Sequence, residues 1–433
     1  MTAAYPEYVT ADSQWLDTVP AHWRVGRLDH VARTWPSNVN KHSVVGEPPV
    51  RLCNYIDVYK NASIVEDLDF MAATASPDQI ERFRIAVGDT LLTKDSETAD
   101  DIGVPAYVEY EARDLICGYH LSIVRPDPEV VEPKFLYWAL GAGPTIGQWA
   151  VLASGVTRVG IRAGDLSKAV LAIPPLDEQR AIAQYLDRET ARIDTLIEEQ
   201  RRLIEMLRER RDSVWAEYVE VARRQGHYAA VRRVIDSIVD GPFGSSLTSA
   251  HYSDEGARVI RLGNIGVNEF KDGDAAFIPL DYAEKLKAHT VEKGDVVVAG
   301  LGDDRMPLGR AAVVPELGPA IVKADCYRLR PNEQVSAAYL AWVMSSPQTR
   351  SLIMLLSRGS TRARLNTKVV QQVEIPLPDR ATQDELVASS DADMAKIGKL
   401  ITEAERFIAL SKERRAALIT AAVTGQINVL GRV

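Results

Sequence analysis

The chain reads as an α+β protein: two pseudo-twofold-related mixed α/β domains separated by two long antiparallel coiled-coil helices. Three observations predict this. At 433 residues the chain is longer than one hydrophobic core ordinarily organises. Its second half repeats its first at an offset of 204 positions. Each copy also closes in a long apolar stripe of helical period, and the first stripe contains neither Gly nor Pro.

The duplication is collinear. Without gaps, Leu136 maps to Leu340, Trp138 to Trp342, Gly155 to Gly359, Arg158 to Arg362, Pro174 to Pro378 and Gln179 to Gln383. The register continues through Asp187/Asp391, Ile197/Ile401 and Val219/Val423. Upstream, with gaps, Arg51-Leu52-Cys53-Asn54 lies beside Arg261-Leu262-Gly263-Asn264, Gly88-Asp89 beside Gly294-Asp295, and Arg125-Pro126 beside Arg330-Pro331. Solenoids stack three or more short units, whereas two long units imply a pseudo-twofold axis inside one chain. The boundaries this suggests are a domain at 1–176, a helix at 177–225, a second domain at 226–380, a second helix at 381–424 and a tail at 425–433.

Short β-runs mark each domain. Thr90-Leu91-Leu92-Thr93 follows Gly88-Asp89, Val296-Val297-Val298 follows Gly294-Asp295, and Leu121–Val124 precedes Arg125-Pro126. Short helices are expected around Phe135–Leu140 and Ala338–Met344. The Gly-Asp pairs are turn chemistry.

Pro174-Pro175 sits where a helix begins, and Gly226 stands just past the end of the first long run. About 45 residues at 1.5 Å each make a rod of roughly 65 Å. Leu186, Ile193, Leu196, Leu203 and Leu207 are its pairing positions, and Ile397, Leu400, Phe407 and Leu418 are those of the second helix. Each large apolar side chain is worth roughly 1.5–3 kcal/mol when buried, so the stripes need partners. They can pair antiparallel within the chain, or each can pair in another molecule as an oligomer seam. The charged faces are either solvated or docking surfaces for a larger subunit.

Composition narrows the function. With 46% hydrophobic and 26% charged residues the chain is an ordinary folded protein. No apolar run approaches the roughly 20 residues that span a bilayer. The opening MTAAYPEYVTADSQW lacks the blocks of a signal peptide, so no membrane partner and a cytoplasmic location are expected. Cys53, Cys117 and Cys326 are too few and too scattered for a disulfide framework or a metal knuckle and read as buried small side chains. The net charge is −9, with −8 in residues 1–176 and +1 in 226–380, so a polyanion site must be a local patch.

Two loops suit such a patch: Ser154–Arg162 (SGVTRVGIR) and Arg358–Asn366 (RGSTRARLN). Each combines Gly, a hydroxyl and closely spaced guanidinium groups, which fits phosphate contacts and bidentate reading of guanine. The other reading is a Gly-capped helix end with solvated arginines. Candidate DNA contacts are Lys94, Arg158, Arg162, Ser245, Ser246, Arg305, Arg358, Thr361, Arg362 and Arg364. Catalytic signatures are sparse: there is no phosphate-binding GxxxxGK[ST], no GxSxG and no HExxH. Asp303-Asp304 and the acids near Asp95–Asp101 can in principle bind Mg²⁺ but suit simple solvation as well. No catalytic residue and no metal site are assigned.

Several motifs together resemble the specificity (S) subunits of type I restriction-modification systems. Trp15–Trp23 (WLDTVPAHW) resembles that family's opening. Asp240–Leu247 (DGPFGSSL) and Arg261–Ile265 (RLGNI) resemble its target-recognition-domain signatures. Ile173–Gln179 (IPPLDEQ) resembles the lead-in to its central helix, and Lys412–Gly425 its C-terminal signature. The second lead-in, Leu377–Gln383 (LPDRATQ), departs from the pattern. The resemblance implies two target recognition domains, each reading one half of a bipartite double-stranded DNA site. It implies a helix pair that spaces them and docks two methyltransferase (M) subunits, with restriction (R) subunits joining. S-adenosylmethionine, ATP and Mg²⁺ would sit on those partners, and this chain would bind no cofactor. The alternatives are a stand-alone DNA-binding regulator of the same fold or a metal-dependent nuclease.

Overall fold

The computed structural model describes residues 4–303, 306–357 and 364–430. Packing divides the chain into two units, Met1–Gln200 with Arg406–Val433 and Arg201–Glu405. Both boundaries fall inside the long helices, Leu176–Gln225 and Arg380–Val423.

In the first unit a sheet runs in the order Ala32–Pro36, Leu121–Pro126, Thr90–Thr93, Pro105–Val108, Ser63–Ile64. A second sheet places Pro49–Cys53 between Leu115–Cys117, parallel to it, and Met71–Thr74, antiparallel. The second unit repeats the plan with Ile235–Val239, Cys326–Pro331, Val296–Ala299 and Ala311–Val313 in one sheet. Its other sheet sets Ala257–Ile260 between Phe277–Ile278, antiparallel, and Ala320–Val322, parallel. The central strands Thr90–Thr93 and Val296–Ala299 are buried at every position, which explains why they read as continuous runs and not as alternations.

The Gly-Asp and Arg-Pro pairs, separate in the sequence, prove to be two halves of one lock. Gly88 (φ +96°) turns the chain into the central strand. Asp89, 1% exposed, then accepts two hydrogen bonds from Arg125, at 2.7 Å each. In the second unit Gly294 (φ +87°) and Asp295 meet Arg330 at 2.9 and 3.0 Å. Antiparallel pairing of the two strands brings the charged ends together.

Each long helix is tied to its domain by a buried glutamine. Gln179 accepts from the Glu132 N–H at 2.7 Å and donates to the carbonyls of Pro174 and Val130. Gln383 accepts from the Ser336 N–H at 2.8 Å and donates to Pro378 and Gln334. The opening segment and the helix lead-in also meet, because Glu178 takes hydrogen bonds from Trp23 Nε1 (3.0 Å) and Tyr5 Oη (3.1 Å) and lies 2.6 Å from His22. The second copy has Thr382 there, its N–H capped by Asp379, which accounts for the departure in that motif.

The helices pair antiparallel inside this one chain. In the first unit the start of one helix meets the end of the other. Arg415 pairs with Asp194 at 3.0 Å, and Ile419, Ala422 and Val423 share a core with Ile182 and Leu186. In the second unit Tyr218 Oη donates to Asp393 at 2.9 Å, and Trp215 and Val219 share a core with Leu386. Gly425 (φ +77°) ends the second helix, and its carbonyl accepts from Tyr8 Oη at 2.9 Å, so the tail folds onto the opening segment.

The helix seam uses only part of the expected column. Leu186 and Ile193 are buried, and Leu207, Ile397 and Leu418 are half-buried. Leu196, Leu203, Leu400 and Phe407, however, are 45, 36, 49 and 42% exposed. They are not seam residues. Ile197, Ile204, Ile401 and Ala404 take the seam instead. The apolar stripe is more than one column wide, neighbouring columns differ by about 100° around the helix, and the partner decides which column faces inward.

Candidate nucleic-acid interface

In the first unit the Ser154–Arg162 loop folds back on itself and onto Lys94-Asp95-Ser96. Ser154 bridges to Gly160, Val159–Gly160 pairs with Asp95–Ser96, and the Ile161 N–H donates to the Lys94 carbonyl at 3.0 Å. Gly155 (φ +147°) is required because a Cβ there would lie 1.9 Å from the Arg158 carbonyl oxygen. The hairpin leaves Arg158 exposed on the rim of a cleft of about 390 Å³ lined also by Lys41, Asn54, Tyr55, Tyr119 and His120. Arg162 is exposed just before the short helix Ala163–Leu166. Lys94 is less available: it lies 4.4 Å from the centroid of the Tyr119 ring and 3.8 Å from Asp95.

The sequence pattern does not reveal His120, Tyr119, Tyr55 or Lys41. His120 Nδ1 lies 2.7 Å from Asp95 Oδ2, and Tyr55 stacks on Tyr59 at 5.4 Å. Tyr59 Oη and Ser96 Oγ donate to Asp101 at 2.8 and 3.1 Å, so Asp95 and Asp101 are both engaged. Among the described residues no group of three or more His, Cys, Asp and Glu could hold a metal ion.

In the second unit Asp240 organises the DGPFGSSL loop. Its carboxylate accepts from the Gly241 N–H at 2.7 Å and the Asp325 N–H at 2.9 Å. Gly241 packs so closely on Lys323 that a Cβ would lie 2.1 Å from that residue's carbonyl carbon. The turn presents Phe243, Ser245 and Ser246 to solvent. Arg364 pairs with Asp325 at 2.8 Å and lies 6.0 Å from the Phe243 ring centroid. The structure thus unites Arg364 with a loop more than a hundred positions earlier. Asp325 holds this guanidinium further above its ordinary pKa, so it stays cationic. Arg305, Arg358, Thr361 and Arg362 lie outside the described residues, as does Asp304.

Buried Arg310 stands nearby and serves the backbone. It donates to the carbonyls of Ile265 (2.6 Å), Leu262 and Leu301 (2.9 Å each) and so ties these backbone segments together.

No family model matches the chain. Among curated proteins it is 25% identical over 178 residues to the type I restriction enzyme StySPI specificity subunit of Salmonella potsdam, covering 41% of this chain and 38% of that one. It is 23% identical over 387 residues to the putative type I restriction enzyme MjaX specificity subunit of Methanocaldococcus jannaschii, covering 83% and 84%. The chain is a relative of type I specificity subunits. Its match thus spans well under half the length of the Salmonella relative and most of the archaeal one. A solved chain from a study of complex assembly and conformational transition in a type I R-M system shares the fold. Its TM-score is 0.69 at 17% identity, covering 94% of this chain and 99% of that one. Against this specificity-subunit background, the surfaces built around Arg158 and Arg364 stand as the candidate interface of each unit.

Proposed function

We propose that this chain is the DNA sequence-specificity subunit of a type I restriction-modification complex and is not itself an enzyme. Each α/β domain reads one half of a bipartite double-stranded site, and the helix pair sets the spacing between the halves. The observation that carries this reading is the duplication preserved in three dimensions. Two domains with one sheet plan, one Asp–Arg lock and one glutamine tether each expose a guanidinium-bearing surface.

The exposed leucines support the docking of two methyltransferase subunits. The first unit presents Leu196 with Phe407 and Leu410, and the second presents Leu400 with Leu203 and Met206, all at least 36% exposed. The 204-residue offset converts one set into the other, so the chain exposes two equivalent sets of apolar side chains. S-adenosylmethionine would be supplied by those subunits, and ATP with Mg²⁺ by restriction subunits. Linking two readers makes the second contact intramolecular and multiplies affinity through effective concentration.

The test is co-expression with a methyltransferase subunit followed by methylome sequencing. A bipartite methylated motif is expected, and exchanging residues 226–380 for a relative's should alter one half only. DNA binding without copurifying subunits would point to a regulator, Mg²⁺-dependent cleavage by the isolated chain to a nuclease, and change in both halves would refute independent domains.

A further inference from the structure

From the geometry of the first unit's cleft we infer that His120 is a base-reading residue, locked by Asp95 to accept a hydrogen bond from the exocyclic amino group of adenine or cytosine in the major groove. This rests on the reading of the chain as a DNA specificity subunit. His120 sits in the turn between the strands Leu115–Cys117 and Leu121–Pro126, with its side chain 39% exposed into the cleft that Arg158 and Lys41 border. Its Nδ1 is 2.7 Å from Asp95 Oδ2. A carboxylate only accepts, so Nδ1 carries the proton and the neutral ring offers Nε2 as a bare acceptor. The major groove presents amino donors on adenine and cytosine, whereas guanine and thymine present acceptors.

The surroundings hold the ring in place. Tyr119 packs edge-on at 4.8 Å and Tyr55 at 6.4 Å. The Lys94 N–H donates to the His120 carbonyl at 3.1 Å. Gly160 packs close beside Asp95, where a Cβ would lie 3.0 Å from its Oδ1. Arg125 corresponds to Arg330, and five residues before each stand His120 and Asp325. At this one position the first unit holds an imidazole against an acid, and the second holds an acid against Arg364. Such a divergence inside a shared scaffold is what two readers of different half-sites need. Asp95 acts as a positioning residue through the tautomer it imposes.

The experiment uses the full chain co-expressed with its methyltransferase subunit, with methylated motifs read by sequencing. The half-site read by the first unit is the one that survives exchange of residues 226–380. His120→Ala should lower discrimination at one base pair of that half-site by about fivefold or more, leaving the other half-site unchanged, which also shows that the chain is folded. Asp95→Asn, which donates as well as accepts, should let Nε2–H appear and admit guanine or thymine at the same base pair. An unchanged motif in both variants overturns the inference while the functional reading stands. Loss of all methylation with His120→Ala leaves Asp95→Asn to decide, and an unaltered preference there overturns it. If the unmutated chain directs no bipartite motif, the functional reading fails and takes this inference with it.

Discussion

Arg158 and the cysteines show what one residue contributes. Arg158 is exposed on a hairpin whose shape depends on Gly155, and it lines the cleft. Arg158→Ala should weaken binding to every sequence alike. The slope of log affinity against log salt should fall by about 1, as expected when one phosphate contact is lost, and a salt titration of the assembled complex measures this. Cys53, Cys117 and Cys326 are fully buried, and burial raises all three thiols, Cys326 to about 12. None should react with a thiol reagent at pH 8 until the protein unfolds, which mass spectrometry after timed alkylation checks. Their type and spacing already announce buried small side chains. His120 is different: nothing in its neighbourhood marks it, since its partner Asp95 lies 25 positions earlier and only the folded turn joins them.

The elements are held by a few polar ties that the repeat doubles. The Asp295–Arg330 pair joins a turn to the strand beside it, and the carboxylate is 3% exposed. Arg330→Met leaves that charge with one hydrogen bond from the Glu292 N–H at 2.9 Å and with the attraction of nearby Arg328. The second unit should lose about 3 kcal/mol, the scale at which an orphaned buried charge destabilises a fold. Urea unfolding followed through that unit's tryptophans measures the loss. The Gly-Asp and Arg-Pro pairs are visible in the sequence as two separate repeats, but their union depends on strand order and so is invisible there. The helix stripes behave similarly. Their period and ends can be read directly, from Pro175 to Gly226 in the first. The choice of Ile197 over Leu196 for the seam is made by the opposing helix and the domain core.

At the scale of the whole molecule the functional proposal makes the helices a spacer, and that role has a length. Four residues inserted after Gln200 and four after Ala404, its repeat equivalent, extend each helix by about 6 Å while turning its face by only about 40°. Base pairs rise about 3.4 Å each. The preferred gap between half-sites should therefore shift by one or two base pairs in methylome sequencing, and an unchanged gap removes the spacer role.

The amino-acid sequence alone determines that this protein is built twice, that each copy is a mixed α/β domain followed by a long helix, and where those helices begin and end. Such features arise from local chemistry and from recurrence along the chain. Folding decided which apolar column became the seam, which acid met which arginine, that Asp95 met His120, and that His120 and Arg158 line one cleft. Those outcomes depend on contacts between segments far apart in the chain, and no local pattern encodes them.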